Sequence, residues 1–192
     1  MKFYFVKSDY LQYLKKFEPN LSAQKLKETR PYVGVVFSIQ GKDFFAPLHS
    51  AKAKHEKISN KSIDCIKLYE HDKLLGVLNL NNMIPVSNRD VIPVDFKKYD
   101  TAKRNLFQTE YKNIIRLRNT ILKNAERVYF EYKNNPQGNL AKRCYNFPLL
   151  EEKCSEYSTY RQNKKEKNAI QQYCHTISES TKQNVFEKGK DR

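Results

Sequence analysis

The run Tyr32-Val33-Gly34-Val35-Val36-Phe37-Ser38-Ile39 does most to narrow the folds open to this chain. It follows Pro31 and is built almost wholly from β-branched, aromatic and glycine residues, which suit a pleated strand and crowd a helix. Gln40-Gly41-Lys42-Asp43 supplies a turn, and Phe44-Phe45-Ala46-Pro47-Leu48 returns as the second arm of a hairpin. The fold is therefore expected to centre on antiparallel pairing. The hairpin also brings the end of its second arm, Pro47 to Ser50, beside the start of its first, at Arg30 and Pro31.

Shorter segments extend this plan. Lys2 to Lys7 reads as a first strand, and Ser8 is placed to cap a short helix over Asp9 to Phe17. Pro19 and the polar run Asn20 to Thr29 read as a basic, flexible connection. Ile63 to Tyr69 and Leu75 to Leu80 form a second antiparallel pair across His71-Asp72-Lys73. Asn79 to Pro85 is turn-like, and Val91 to Phe96 reads as a short strand that Pro93 confines to an edge.

The period changes near Tyr99. Phe107, Tyr111, Ile114, Ile121, Ala125, Val128 and Tyr132 recur at helical intervals, predicting one helix over Thr101 to Lys133 that stops at Asn134-Asn135-Pro136-Gln137-Gly138. Leu149 to Tyr160 predicts another. The sequence thus describes an α+β domain over residues 1–160: a compact, highly curved antiparallel sheet with packed helices, one of them long. Residues 161–192 form a polar C-terminal extension, read as a docking helix or a loosely ordered tail.

The segment from Leu48 to His55 holds the densest chemistry, with a hydroxyl, two imidazoles and two ammonium groups in Leu48-His49-Ser50-Ala51-Lys52-Ala53-Lys54-His55. Cleaving an RNA phosphodiester needs groups that move protons and groups that hold a phosphate. Ser50 and Lys52 share one face if the chain stays extended past the strand, and Arg30 can join them as a bidentate phosphate clamp. His49 and His55 titrate near neutrality and are candidates for acid–base work. Lys54 and His55 are also candidate RNA contacts, as are Tyr10 and Tyr32, since tyrosines in basic stretches stack bases.

Charge points the same way. Lysine and arginine number 36 against 21 acids, giving a formal net charge of +15 and a natural attraction to a polyanion. No apolar run approaches the roughly 18 residues of a membrane span. The apolar start at Phe3 is interrupted by Lys7 to Asp9, too soon for a signal-peptide core, so a cytoplasmic protein is expected. Cys65, Cys144, Cys154 and Cys174 lack zinc spacing and read as free thiols; no metal or cofactor is called for. No glycine-rich phosphate loop and no nucleophile elbow occur. These features suit a nuclease or a non-catalytic RNA- or DNA-binding module equally well.

A set of motifs separates the two. Lys2-Phe3-Tyr4, Tyr10-Leu11-Gln12-Tyr13-Leu14, Arg30-Pro31-Tyr32-Val33-Gly34-Val35 and Ala46-Pro47-Leu48-His49-Ser50-Ala51-Lys52 resemble the type III toxin–antitoxin endoribonucleases, the ToxN/AbiQ group. Leu75-Gly76-Val77-Leu78-Asn79 with Asn82-Met83-Ile84-Pro85-Val86, and Asn146-Phe147-Pro148-Leu149-Leu150-Glu151-Glu152-Lys153, continue the resemblance in the family's order. It implies a fold similar to the MazF/Kid barrel and a sequence-selective, metal-independent endoribonuclease that leaves a 2′,3′-cyclic phosphate. It implies as partners cellular and phage RNA substrates and a small antitoxin RNA of pseudoknot repeats. The toxin would cut that RNA from a precursor, be inhibited by it in an RNA-bridged ring, and act in phage abortive infection. Ser50 matches the family's essential serine and Lys52 the lysine two positions on. Arg30 stands where some members have a lysine at the scissile phosphate, and His49 where others have threonine.

Overall fold

A computed structural model describes residues 1–21 and 31–188, with the side chain of Lys165 and those beyond Gln172 left aside. The expected connection from Asn20 to Thr29 falls mostly outside these residues. The described chain divides into two units, Met1–Cys154 and Ser155 onward.

The first unit is built on an antiparallel sheet. Its strands are β1 (Lys2–Val6), β2 (Tyr32–Ile39), β3 (Lys42–Ser50), β4 (Cys65–Glu70), β5 (Lys73–Asn79), β6 (Ile84–Pro85) and β7 (Val91–Pro93). They run in the order β4-β5-β3-β2-β1-β7, with β6 beside β3. The α+β fold of an antiparallel sheet with packed helices is as expected, but the barrel is not closed: among the described residues the end strands β4 and β7 do not pair with each other. Pro93 sits on the edge strand, where its missing N–H breaks no central ladder.

The β2–β3 hairpin forms as the sequence requires, but β3 continues past the expected end at Leu48. Leu48, His49 and Ser50 pair with Leu78, Val77 and Gly76 of β5. Pro47 lacks an N–H, and Leu48 donates instead to the Pro31 carbonyl at 2.9 Å. Ser50 thus stands in a paired strand rather than a loop. Phe44 and Phe45 also pair with β6, a strand hidden in the turn-like segment around Met83.

Helix α1 (Ser8–Leu14) follows β1 without a side-chain cap from Ser8. The helix expected over Thr101 to Lys133 is two: α3 (Thr101–Arg116) and α4 (Arg118–Asn134), bent at Leu117 with φ −91° and ψ 7°. The bend lets two faces reach two strands. Helix α3 packs on β4 and β5 with Phe107, Glu110, Asn113 and Ile114 buried, whereas α4 packs on β2 with Ile121, Ala125, Val128 and Tyr129. Between β3 and β4, Ala53–Glu56 coils into the single turn α2.

Helix α5 (Phe147–Lys188) is longer than the expected Leu149 to Tyr160 and runs through the extension. Pro148 fits its first turn, where no N–H is needed, and the Asn146 side chain accepts the Leu149 N–H at 3.2 Å as a cap. Its first two turns belong to the first unit. In the second unit the Tyr157 and Tyr160 rings stack at 6.1 Å and Arg161 lies over Tyr157.

Rings close the core of the first unit. Phe44 from β3, Tyr129 from α4 and Phe147 from α5 meet with centroids 5.8–6.1 Å apart, and Phe37 approaches Tyr129 at 4.9 Å. Such pairs add about 0.5–1.5 kcal/mol each beyond the area they bury. On the other side of the hairpin, the buried Phe45 ring lies where a side chain of Gly34 would begin: a Cβ there would come within 2.1 Å of Phe45 Cδ1. Gly34→Ala is therefore expected to overpack the sheet and lower the unfolding free energy by about 1–3 kcal/mol, measured by urea denaturation.

Candidate functional site

The pairing of β3 with β5 holds the chemistry-bearing segment. After Ser50 the chain stays extended: Ala51 donates to the Leu75 carbonyl at 3.0 Å, and Lys52 has φ −142° and ψ 153°. Alternation along an extended chain then places Leu48, Ser50 and Lys52 on one face and His49 on the other. Ser50 and Lys52 are both exposed, so the hydroxyl and the ammonium reach the surface on that face. Arg30 lies outside the described residues; Pro31, its neighbour, is bonded to Leu48 as above.

His49 is placed differently from expectation. It faces away from Ser50, half-buried, and its Nδ1 meets Asn79 Nδ2 at 3.1 Å. An amide nitrogen can only donate, so this Nδ1 accepts and the ring proton sits on Nε2. Sequence adjacency to Ser50 therefore does not make His49 its proton partner.

His55 organises the turn after Lys52. Its Nδ1 accepts the Lys52 N–H at 3.1 Å while its own N–H returns to the Lys52 carbonyl at 2.7 Å. The ring is only 4% exposed. Burial foremost, then the Lys54 and Lys52 ammonium groups, holds its pKa below the usual histidine value. A neutral, buried ring that fixes the backbone corrects its reading as a surface RNA contact; Lys54, beside it, is exposed.

The two tyrosines are corrected as well. Tyr10 is 1% exposed and its hydroxyl donates to the Pro85 carbonyl at 2.6 Å, with burial pushing its pKa far up. Tyr32 is 5% exposed within β2. Rings enclosed to this degree have no face to offer a base.

On the side of His55 and Asn79 lies a cavity of about 380 Å³, lined also by Lys54, Asp64, Asn81 and Arg143. Its floor is rigid. Arg143 Nε and Nη2 both donate to Asp64 Oδ2, at 3.1 and 2.9 Å, and Ser62 Oγ donates to Oδ1. The Asp64 carbonyl receives Leu80 N–H at 2.8 Å. Among the described residues no His, Cys, Asp or Glu cluster of metal-binding geometry occurs; the side chains of Cys174 and His175 are outside them. The described thiols are free, and burial raises Cys65 to about 11 and Cys144 to about 12, which leaves them unreactive.

One residue near the site escaped sequence reasoning. Glu110 is buried on α3, and its Oε1 lies 2.7 Å from where a Cβ of Gly76 would be. Its position three after Phe107 and four before Ile114 puts it on the helix's apolar stripe. That spacing was the available signal.

Comparisons with known proteins place the chain in a family. A family model described as toxin ToxN of type III toxin–antitoxin systems matches residues 2–155. Endoribonuclease ToxN of Bacillus thuringiensis subsp. kurstaki is 34% identical over 178 residues, covering 88% of this chain and 90% of that one. The solved structure of AbiQ, a lactococcal anti-phage endoribonuclease of a type III toxin–antitoxin system, is 30% identical with a TM-score of 0.74, covering 82% of this chain and 98% of its own. A third similar protein comes from a type III system in which a non-coding RNA pseudoknot selectively inhibits the toxin. It is 32% identical with a TM-score of 0.70, covering 82% of this chain and 97% of its own. With the matched region spanning the whole sheet, both central helices and the Ser50–Lys52 segment, the chain belongs to the ToxN family of type III toxin–antitoxin toxins.

Proposed function

We propose that this protein is a metal-independent, sequence-selective endoribonuclease and that Ser50 and Lys52 carry its reaction. The observation behind this reading is their placement on one exposed face at the end of β3, on a chain of net charge +15. RNA supplies its own nucleophile: the 2′-oxygen bonds to the adjacent phosphorus, the bond to the 5′-oxygen breaks, and a 2′,3′-cyclic phosphate remains. Ser50 Oγ orients the 2′-OH. The Lys52 ammonium opposes the charge that grows on the non-bridging oxygens, where a fixed cation lowers the barrier most. Arg30 is assigned a second contact to the same phosphate, and Lys54 one to the backbone alongside.

The partners follow from the same reading. The substrates are cellular and phage RNA, and a small antitoxin RNA of pseudoknot repeats is cut by the toxin and then covers the site in an RNA-bridged ring. Release of the toxin during infection produces abortive infection. The place of action is the cytoplasm; no described helix is long and apolar enough to cross a membrane.

Purified protein incubated in chelator with a long single-stranded transcript of mixed sequence is expected to give discrete cuts with cyclic phosphate ends. RNA left intact under every condition would return the protein to the class of non-catalytic RNA binders. Lys52→Ala is expected to slow cleavage by on the order of 10²–10³-fold, the scale of losing one group that opposes developing charge. Ser50→Ala is expected to abolish detectable cutting. Both side chains are exposed, so both variants should melt at the wild-type temperature. A Ser50→Ala protein with wild-type rate would remove the residue from the mechanism.

A further inference from the structure

A serine hydroxyl is a poor proton acceptor, so a reaction led by Ser50 requires a base that sequence reasoning sought in His49. The fold turns His49 to the opposite face and brings a different group to the Ser50 face. Glu110 projects from α3 onto the β4–β5 hairpin and is 3% exposed. Among the described residues its carboxyl makes no hydrogen bond or ion pair.

The carboxyl is admitted by a glycine. Glu110 Oε1 stands 2.7 Å from the place of a Gly76 Cβ, a site that the His49 carbonyl also approaches at 2.8 Å. Any side chain at 76 would evict it. Gly76 is the register partner of Ser50. Directly opposed residues of an antiparallel pair project to the same face with Cβ atoms roughly 5 Å apart. Glu110 therefore occupies the side-chain position across from Ser50.

Burial alone raises the Glu110 pKa to about 7. The elements packed on it carry other titrating groups: Tyr69 and Glu70 on β4, Lys73 on β5 and His49 on β3, with Tyr111, Lys112 and Arg116 on α3 itself. Thr109 Oγ1 donates to Glu70 at 3.3 Å and Arg116 donates to Asn113 Oδ1 at 2.9 Å, so both are engaged elsewhere. A carboxyl poised this way changes protonation state across the neutral range at little cost, as a base at working pH should.

We propose that Glu110 is the positioning residue behind Ser50 and accepts, through it, the proton of the attacking 2′-OH. The step rests on the endoribonuclease reading above. As the 2′-oxygen bonds to phosphorus, its proton passes to Ser50 Oγ and the proton of Ser50 passes to the Glu110 carboxylate. The P–O5′ bond breaks with its electron pair on the 5′-oxygen, which takes a proton from water. Glu110 then returns its proton to solvent, and the balance closes.

The test is the pH profile of cleavage of the same transcript in chelator, under saturating protein. The carboxylate is the working form, so the wild-type rate is expected to fall as pH drops through about 7. Glu110→Gln is expected to cut on the order of 10²–10⁴-fold more slowly, to lose that inflection, and to bind the transcript as tightly as the wild type. It should melt no lower than wild type at pH 8, because ionising a buried carboxyl costs the native state and the amide does not ionise. Sulfur in place of the 5′-oxygen at a mapped cut leaves without a proton and is expected not to rescue the variant. A Glu110→Gln protein with wild-type rate, or a slow one with the inflection intact, or rescue by the sulfur leaving group, overturns the assignment. Failure of the wild type to cut at all overturns the endoribonuclease reading itself.

Discussion

The structure depends on β3 being shared. One of its edges pairs with β2 through the local hairpin, while along the other it pairs first with β6 and then with β5. Its early residues are secured by the rings of Phe44 and Phe45. Its last three are secured by β5, which in turn is held in a hairpin with β4 and pressed by α3, where Asn113 Nδ2 donates to the Tyr69 carbonyl at 2.9 Å. The Ser50 backbone is therefore held by strand pairing although its side chain is exposed. A side chain at this position gains from the arrangement, since sites on strands hold their geometry better than sites on loops.

Charge is distributed in two layers. The excess of lysine and arginine is at the surface, where it gathers a polyanion but each ammonium contributes little to stability. The acids that matter to the site lie beneath. Asp64, 5% exposed, is neutralised by Arg143 and shapes the cavity floor, and Glu110 is kept without a charged partner beside Gly76.

Much of this plan was legible in the chain. The β2–β3 hairpin, the edge position of Pro93 and the apolar stripes of α3 and α4 are local patterns, and local patterns survive folding. Tertiary partners decided the rest. The extension of β3 to Ser50 needs β5, some two dozen residues later, and β6 needs the flank of β3. The bend at Leu117 is invisible because Ile114 and Ile121 continue one helical period across it, and only the positions of β4 and β2 require two directions. Tyr10 stands in a basic, tyrosine-rich stretch that is open to either a base-stacking or a core reading, and the Pro85 carbonyl gives its hydroxyl a buried partner and so lets the ring enter the core. Ser50 and Lys52 were legible as chemistry from residue type; that they share a face became certain only with the extended geometry of Ala51 and Lys52.

The fate of His49 carries the wider argument. Residues adjacent in a strand are separated by the sheet itself, so nearness in sequence is the wrong measure of nearness in a site. His49 belongs with Asn79 on the cavity side, where its Nδ1 already accepts a hydrogen bond and its tautomer is set. Glu110, sixty residues away in sequence, belongs with Ser50 because Gly76 leaves the space for it. A strand that alternates its faces thus turns His49 toward Asn79 on one side and Ser50 toward Gly76 and the desolvated Glu110 carboxyl on the other. Neutral-range titration then requires no histidine at the scissile phosphate, only a carboxylic acid that the fold keeps dry.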